Sequence, residues 1–408
     1  MQQWKTAYKE AGRVFLLSRL LLLVVSVLTM FSLQALLPFF RNQSAMLHTP
    51  YQVIPYGDNP ASLSAFFFSW YRWDVPHFVA ISAQGYADTL NTAFFPLWPL
   101  LQRPVGLLLG GIFPGSYYAA GLLLANLCFY CALVLLSKLL LDHYDAVIAR
   151  RALYYMAFAP YGLFFFAGYT ESLFMLLCIA CFLVLQRGQP RDWWFAGLLG
   201  FLAALTRSSG VFLAVPYLVV YAQRFWISSE QTKHAWRAKL NALIPIALIP
   251  LGVIIYLLYL YFTKGNAFVF SVAEKNDWNR HFSFPWTTAY LIVRGFVAAP
   301  SWIYLLEHLN SFLFTLFSLL VLGFGWKWIP LHYRLFAASI ATFSLSFPLE
   351  DLSPLLSQPR YLLILFPIFV IAAVWGKKSR RFHRWYFTGS LFFFIAFSIM
   401  FICNLWVA

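Results

Sequence analysis

LLLLVVSVLTMFSLQALLPFF, residues Leu20 to Phe40, is a single apolar run long enough to cross the ~30 Å hydrocarbon core of a bilayer as an α-helix. It follows a cationic segment carrying Lys5, Lys9, Arg13 and Arg19, the arrangement of a span whose N-terminal flank stays in the cytoplasm. The run is too long for the core of a cleavable signal and no small-residue cleavage site follows it, so it reads as a retained first span. The rest of the chain has the same character. Of 408 residues, 62% are hydrophobic and 11% charged, against about 25% charged in an ordinary soluble domain, which excludes a soluble globular protein. Lys and Arg number 29 and Asp and Glu 14, for a net charge of +15. These cations lie between apolar spans and gather on no single polar face, which favours membrane lipids over nucleic acid as partners. The 44 Phe, 23 Tyr and 16 Trp supply wide interfacial belts and apolar grooves suited to a lipid-like ligand.

Further apolar runs are Tyr117–Leu141, Val147–Phe166, Ser172–Leu185, Trp193–Leu205, Val211–Phe225, Leu243–Phe262, Phe312–Trp328, Leu335–Phe347, Tyr361–Trp375 and Trp385–Trp406. With the first they make about eleven crossings, some shorter than the ~20 residues a full span needs, so several helices are expected to end in a protein-lined cavity. Two broken runs, Phe94–Phe113 and Thr287–Leu306, are read as helices along the outer face. Lys138 with Arg150 and Arg151, Arg187 with Arg191, Arg224 to Lys239, Lys327 with Arg334, and Lys377 to Arg384 then all fall on the side of the basic N-terminus, as the positive-inside rule expects. The chain, 1–408, is expected to be one transmembrane domain. It divides into a first span in 1–40, a first outer loop with juxtamembrane helices over 41–116, six spans over 117–262, a large outer loop over 263–311 and four spans over 312–408.

On this topology the remaining polar groups collect at the outer face. In Trp70-Tyr71-Arg72-Trp73-Asp74-Val75-Pro76-His77-Phe78 an acid and an imidazole stand three apart. If Asp74 caps a helix that Pro76 helps to start, His77 falls in the first turn beside its carboxylate, and the pair is able to take up and manage a proton. The same spacing reads equally as an ordinary helix start among interfacial aromatics. Thr170 is placed to cap the helix that Glu171 opens, where the positive end of the helix favours an acid. Arg207, in Leu205-Thr206-Arg207-Ser208-Ser209-Gly210, and Arg360, in Ser357-Gln358-Pro359-Arg360-Tyr361, either extend to lipid phosphates or grip the phosphate of a ligand through forked hydrogen bonds. Lys275, Asp277 and Arg280 in the large outer loop read as solvated charges or as further ligand contacts. The CxxC pairs Cys128/Cys131 and Cys178/Cys181 fall in mid-span without water or charged neighbours, which favours packing over a metal site. A Walker loop, a GxSxG elbow and a DxD triplet are all missing from the sequence, so ATP-driven transport, serine hydrolysis and a carboxylate-held nucleotide-sugar metal lack support.

Five segments in this order resemble the PIG-V family of integral-membrane mannosyltransferases, within the GT-C glycosyltransferase superfamily. They are Arg72-Trp73-Asp74-Val75-Pro76-His77-Phe78 with Gly85-Tyr86; Phe94-Phe95-Pro96-Leu97-Trp98-Pro99-Leu100; Tyr169-Thr170-Glu171-Ser172-Leu173-Phe174; Ala204-Leu205-Thr206-Arg207 with Gly210; and Gln358-Pro359-Arg360-Tyr361 before Phe366-Pro367. The resemblance implies an all-α GT-C-like bundle, a polyprenyl phosphate sugar as donor, and Asp74 as the catalytic base. It places Glu171 where many relatives carry a second acid near the donor, and matches His77, Arg207 and Arg360 to family positions. The expected site is therefore Asp74, His77 and Glu171 for catalysis, with Arg72, Arg207, Arg280, Gln358 and Arg360 around the donor phosphate and substrate. The family's eukaryotic members add the second mannose of GPI anchors in the endoplasmic reticulum; this chain looks more like a bacterial relative at the plasma membrane, and that acceptor is not carried over.

The chemistry of such a transfer fits the residue types. A base must take the proton of an acceptor hydroxyl, on a lipid or a glycan, as its oxygen attacks the anomeric carbon. The phosphate leaves already ionised and needs cations more than a proton donor, so neither a cofactor nor a metal is expected. The competing reading, a transporter or flippase of lipid-linked glycans, would place ionisable groups near the bilayer midplane and pair repeats between halves, and neither is visible.

Overall fold

The computed structural model describes residues 2–43, 62–110, 115–227, 236–299, 301–350 and 353–407. Parts of three expected features therefore lie outside the described residues: 44–61 of the first outer loop, 111–113 of the first broken run, and 228–235 of the Arg224–Lys239 loop.

In chain order the helices are α1 (Gln2–Gln43), α2 (Leu63–Phe67), α3 (Asp74–Gln84), α4 (Leu97–Leu109), α5 (Ser116–Leu141), α6 (Ala146–Ala157), α7 (Glu171–Arg187), α8 (Pro190–Thr206) and α9 (Ala214–Ala222). They continue as α10 (Trp236–Leu243), α11 (Leu248–Lys264), α12 (Val269–Trp278), α13 (Pro285–Ala298), α14 (Trp302–Gly325), α15 (Leu331–Leu345), α16 (Gln358–Leu363), α17 (Phe366–Lys378) and α18 (Arg380–Ile402). Among the described residues the only β-pairing is one isolated bridge, between Arg280 and Leu349. The protein is an all-α membrane bundle.

Five stretches are long and apolar enough to cross a bilayer: Gln2–Ala35, Ser116–Leu141, Trp236–Lys264, Tyr304–Trp328 and Arg380–Ile402. The first helix starts well before the apolar run because nothing between Gln2 and Arg19 breaks it; Gly12 is the single weak former. The other runs counted as crossings fold into shorter pieces. The Val147–Phe166 run stops as a helix at Ala157, where Pro160 and Gly162 interrupt it, and resumes as a 3-10 turn at Gly162–Phe165. Helices α7 and α8 have 17 residues each, about 26 Å at 1.5 Å per residue, so the turn before Glu171 and the chain after Thr206 end inside the bundle. Thr287–Leu306 is divided between α13 and the first turn of α14.

Contacts sort the loops into two ends. Gln3 Nε2 reaches the Leu141 carbonyl at 3.5 Å, Tyr144 Oη donates to the Trp328 carbonyl at 3.1 Å, Gln186 Nε2 meets Tyr333 Oη at 3.4 Å, and Lys377 pairs with Asp145. These bonds gather the start of α1, the α5–α6 turn, the end of α7, the α14–α15 turn and the α17–α18 turn. Four of the five cationic loops of the charge map are represented in these bonds; the Arg224–Lys239 loop is not among them. At the opposite end α3, the starts of α7 and α16, the end of α8 and α12 converge. The wall behind them is close-packed: α11 crosses α8 so tightly that a Cβ on Gly252 would collide with the Phe201 carbonyl.

Candidate functional site

Trp73 holds φ 56° and ψ −108°, a strained turn that makes Asp74 the first residue of α3. Asp74 is thus inside the helix where a capping role was expected, and Trp73 is the cap. The Trp73 ring meets the ring of Trp406 edge-on at 4.4 Å, and Trp70 stacks on Phe401 at 5.4 Å, so the end of α18 and the residues after it support the loop. Tyr169, fully buried, ties this turn to α7: its hydroxyl donates to the Arg72 carbonyl at 3.2 Å and accepts from the Asp74 amide at 3.4 Å.

Two residues later Glu171 opens α7 at 1% side-chain exposure. Thr170 takes the cap position without a side-chain bond. Arg207 Nη1 donates to Glu171 Oε1 at 2.8 Å, and Arg360 Nε lies 3.4 Å from the same oxygen. Arg360 Nη1 also donates to Asp74 Oδ2 at 2.6 Å. Residues from four parts of the sequence therefore form one chain of alternating charge, Asp74–Arg360–Glu171–Arg207, almost withdrawn from water. Arg207 is placed there because the backbone after α8 turns extended at φ −155° and ψ 145°, and because Gly210 lets the following 3-10 turn lie on the Ala203–Ala204 backbone.

Arg280 comes from the chain after α12. It is buried at 8% exposure, whereas Lys275 and Asp277 on the same loop are exposed. Its Nη1 donates to Tyr361 Oη at 2.9 Å and its Nη2 to the Leu356 carbonyl at 2.7 Å. No carboxylate of the described residues forms an ion pair with it. The Tyr361 ring has three guanidinium groups around it, Arg207 at 5.1 Å, Arg280 at 5.3 Å and Arg360 at 5.8 Å from its centre. Three guanidinium groups thus surround one ring beside the carboxylates of Asp74 and Glu171.

The other expected residues sit nearby in different roles. The His77 imidazole is bonded to Asn91 Oδ1 at 2.9 Å and stacked on Phe94 at 5.0 Å, with Trp278 edge-on at 5.7 Å; it makes no hydrogen bond with Asp74. Arg72 Nη1 donates to the Tyr71 carbonyl at 2.9 Å, and Gln358 Nε2 donates to Ser344 Oγ at 2.7 Å. The cysteines of both CxxC pairs are free.

Sequence reasoning missed Glu274 on α12. Burial holds its carboxyl above the ordinary value of 4.5, Asp74 pushes the same way, and Arg280 and Arg360 oppose the rise. Nothing in the loop's pattern separates this acid from its solvated neighbour Asp277. It also gave no role to Tyr361, although an aromatic directly after an arginine was in view, or to Tyr169.

A family model described as mannosyltransferase (PIG-V) matches residues 8–278. The chain belongs to this family. Asp74, Glu171 and Arg207 fall within the match, while Arg280 and Arg360 lie beyond it and are placed by geometry. GPI mannosyltransferase 2 of Schizosaccharomyces pombe is 27% identical over 278 residues, 64% of this chain and 54% of that one. GPI alpha-1,6-mannosyltransferase 2 of Mus musculus is 32% identical over 213 residues, 48% of this chain and 42% of that one. The chain thus spans about half the length of the curated relatives it matches. A crystal structure of the Archaeoglobus fulgidus oligosaccharyltransferase, tethered with an acceptor peptide, aligns with a TM-score of 0.46 at 10% identity, over 95% of this chain and 55% of that one.

Proposed function

We propose that this member of the PIG-V family is an inverting mannosyltransferase that moves mannose from a polyprenyl phosphate donor to a hydroxyl of a lipid or glycan at the outer face of the membrane, in a bacterial plasma membrane. The observation that carries the reading is a carboxylate fixed by one buried arginine beside a second, Arg280, that forms no ion pair with a carboxylate of the described residues. Asp74 Oδ2 is held by Arg360, which leaves Oδ1 to accept the proton.

In the transfer, the acceptor oxygen forms a bond to the anomeric carbon as its proton passes to Asp74 Oδ1. The bond from that carbon to the donor phosphate breaks, and its electron pair leaves with the polyprenyl phosphate, which gains one negative charge. Arg280 and Arg207, both packed against the Tyr361 ring, are the cations that meet that charge. One displacement inverts the centre, so a β-linked donor yields an α-mannoside. Glu171 positions both Arg207 and Arg360, and His77 with Trp278 and Phe94 lines the acceptor side. The site's own cations perform the task a metal would have.

The test is consumption of labelled polyprenyl phosphate mannose by membranes carrying the wild-type chain or Asp74→Asn, supplied with a host lipid and glycan extract, with products read by mass spectrometry. A labelled product from the wild type alone is the expected result. Turnover of other polyprenyl phosphate sugars but not of mannose would overturn the sugar, and turnover of none would overturn the transferase.

A further inference from the structure

At the end of the bundle opposite the Asp74 cluster lies a cavity of about 370 Å³ lined by Arg13, Arg150, Arg151, Tyr154, His383 and Phe387. Its size falls in the range of small-molecule sites, roughly 300–1,000 Å³. Three separate helices build it: Arg13 comes from α1, Arg150, Arg151 and Tyr154 from α6, and His383 and Phe387 from α18. His383 stands eighteen residues before Phe401, which packs on Tyr169, so the rise of the helix sets the cavity about 27 Å from the transfer site.

The lining is one-sided. It holds three guanidinium groups and an imidazole and no acid. None of the three arginines forms an ion pair with a carboxylate of the described residues, and the nearest acid on the lining of a neighbouring cavity is Glu10, beside Arg150. Arg151 keeps Nη1 buried without an acceptor. A buried guanidinium N–H left unbonded is costly, so Arg151 Nη1 lacks an acceptor that an anion between it and the exposed Arg13 and Arg150 would supply. His383 is held in place by Tyr155, whose hydroxyl lies 2.8 Å from its Nδ1, leaving Nε2 as the free nitrogen of the ring. The remaining wall is aromatic: Tyr154 packs edge-on with Phe387 at 6.2 Å and stacks on Phe158 at 6.0 Å.

We propose that this cavity binds a phosphate group through Arg13, Arg150, Arg151 and His383, with the aromatic wall taking the apolar part of its carrier. The fork of an arginine matches phosphate oxygens two at a time, which is why three arginines and not three lysines make the site selective for this anion. The phosphate is carried by an anionic phospholipid of the near leaflet or by a soluble phosphoryl compound. The inference does not depend on the transferase reading, since it concerns the other end of the molecule.

The experiment is titration calorimetry on the purified full-length chain in detergent with three probes: dihexanoyl-phosphatidylglycerol, dihexanoyl-phosphatidylcholine and inorganic pyrophosphate. The wild type is expected to bind the phosphatidylglycerol, and the double variant Arg150→Gln/Arg151→Gln to bind it at least about tenfold more weakly, as the loss of charge-assisted bonds requires. Lys378→Gln, a cation of the same end outside the cavity, should bind as the wild type does. Arg13→Gln, exposed and on a different helix, gives the same direction of change should the double variant not fold. Preference for phosphatidylglycerol over pyrophosphate assigns the site to a lipid headgroup, and the reverse assigns it to a soluble phosphoryl compound; both support phosphate binding. Equal binding of phosphatidylcholine, no binding of either anion, or anion binding unchanged in Arg13→Gln would overturn it. Mannosyl transfer measured in parallel keeps the two readings apart, since loss of transfer with intact phosphate binding would count only against the transferase.

Discussion

One oxygen, Glu171 Oε1, lies within reach of both Arg207 and Arg360, and Arg360 carries the second acid, Asp74, on its other side. Removing a link of such a chain costs more than the link itself, because it leaves a charge buried without a partner; about 3–5 kcal/mol is typical. Arg360→Gln, which strands Asp74 and leaves Glu171 to Arg207 alone, is expected to destabilise the protein by about that much, seen as a loss of folded protein after extraction. Asp74→Asn keeps a hydrogen-bonding oxygen toward Arg360 and should leave the thermal midpoint nearly unchanged while lowering transfer by about 10²–10⁴-fold, the usual contribution of a general base. The two variants therefore separate structure from chemistry at the same ion pair. Glu274 gives a prediction in pH. Its folded-state value lies above the ordinary 4.5, so the native state binds that proton more tightly than the unfolded chain. This contribution to stability is complete below 4.5 and is lost as pH rises through the folded-state value. Glu274→Gln should match the wild type in thermal unfolding at pH 4 and exceed it at pH 7.5; equal midpoints at both pH values would refute it. At this scale Asp74, Glu171, Arg207 and Arg360 were legible because each stands beside a helix end or inside a short motif. Arg280 was open between two readings until its burial was seen. Glu274 was not legible, since its burial is made by segments distant in the chain and leaves no trace in its own neighbourhood.

Among the elements, the turn after α8 shows how a small residue aims a large one. A Cβ at Gly210 would meet the backbone of Ala203 and Ala204, so Gly210→Ala must lift the 3-10 turn away from α8 and carry Arg207 with it. We expect a destabilisation of about 2 kcal/mol, in the range of an overpacked contact, and a fall in transfer rate larger than stability alone explains; a Gly210→Ala protein with normal turnover would remove this coupling. The apolar runs revealed where helices lie, and the five span-length stretches follow from length and hydropathy. What they did not reveal is where helices stop. The Val147–Phe166 run is continuous in hydropathy, yet Pro160 and Gly162 end α6 twelve residues in, and the gap so made is what brings Tyr169 and Glu171 under Arg360. The strained turn at Trp73 was equally invisible, because positive φ at a tryptophan is imposed by its surroundings, here the ring of Trp406, and not by its own preference.

For the whole molecule, charge patterning was the most informative signal: four of the five cationic loops that the positive-inside rule groups together are joined by bonds at one end of the bundle, and the charged site lies at the other. The number of full-length crossings was not readable, since short helices that end at a polar cavity and full spans share the same composition. A molecule whose anion site is made of its own arginines should work without a metal. Transfer is expected to continue in EDTA at the untreated rate; abolition by EDTA with recovery on added magnesium or manganese would overturn this. The pairing of Asp74 with Arg360 spans 286 positions of the chain. At ribosomal speeds of about 5–20 residues per second, the acid made early waits roughly 15 to 60 s for its partner. The tryptophan that props its turn, Trp406, emerges later still. During that interval Asp74 lacks the cation that holds it in the folded protein, and a carboxylate without a partner in or near a bilayer is costly. Deletion of residues 404–408 removes the ring of Trp406 that supports Trp73 and is expected to shorten the lifetime of the chain in the cell, which a pulse-chase of the truncated and intact forms would measure.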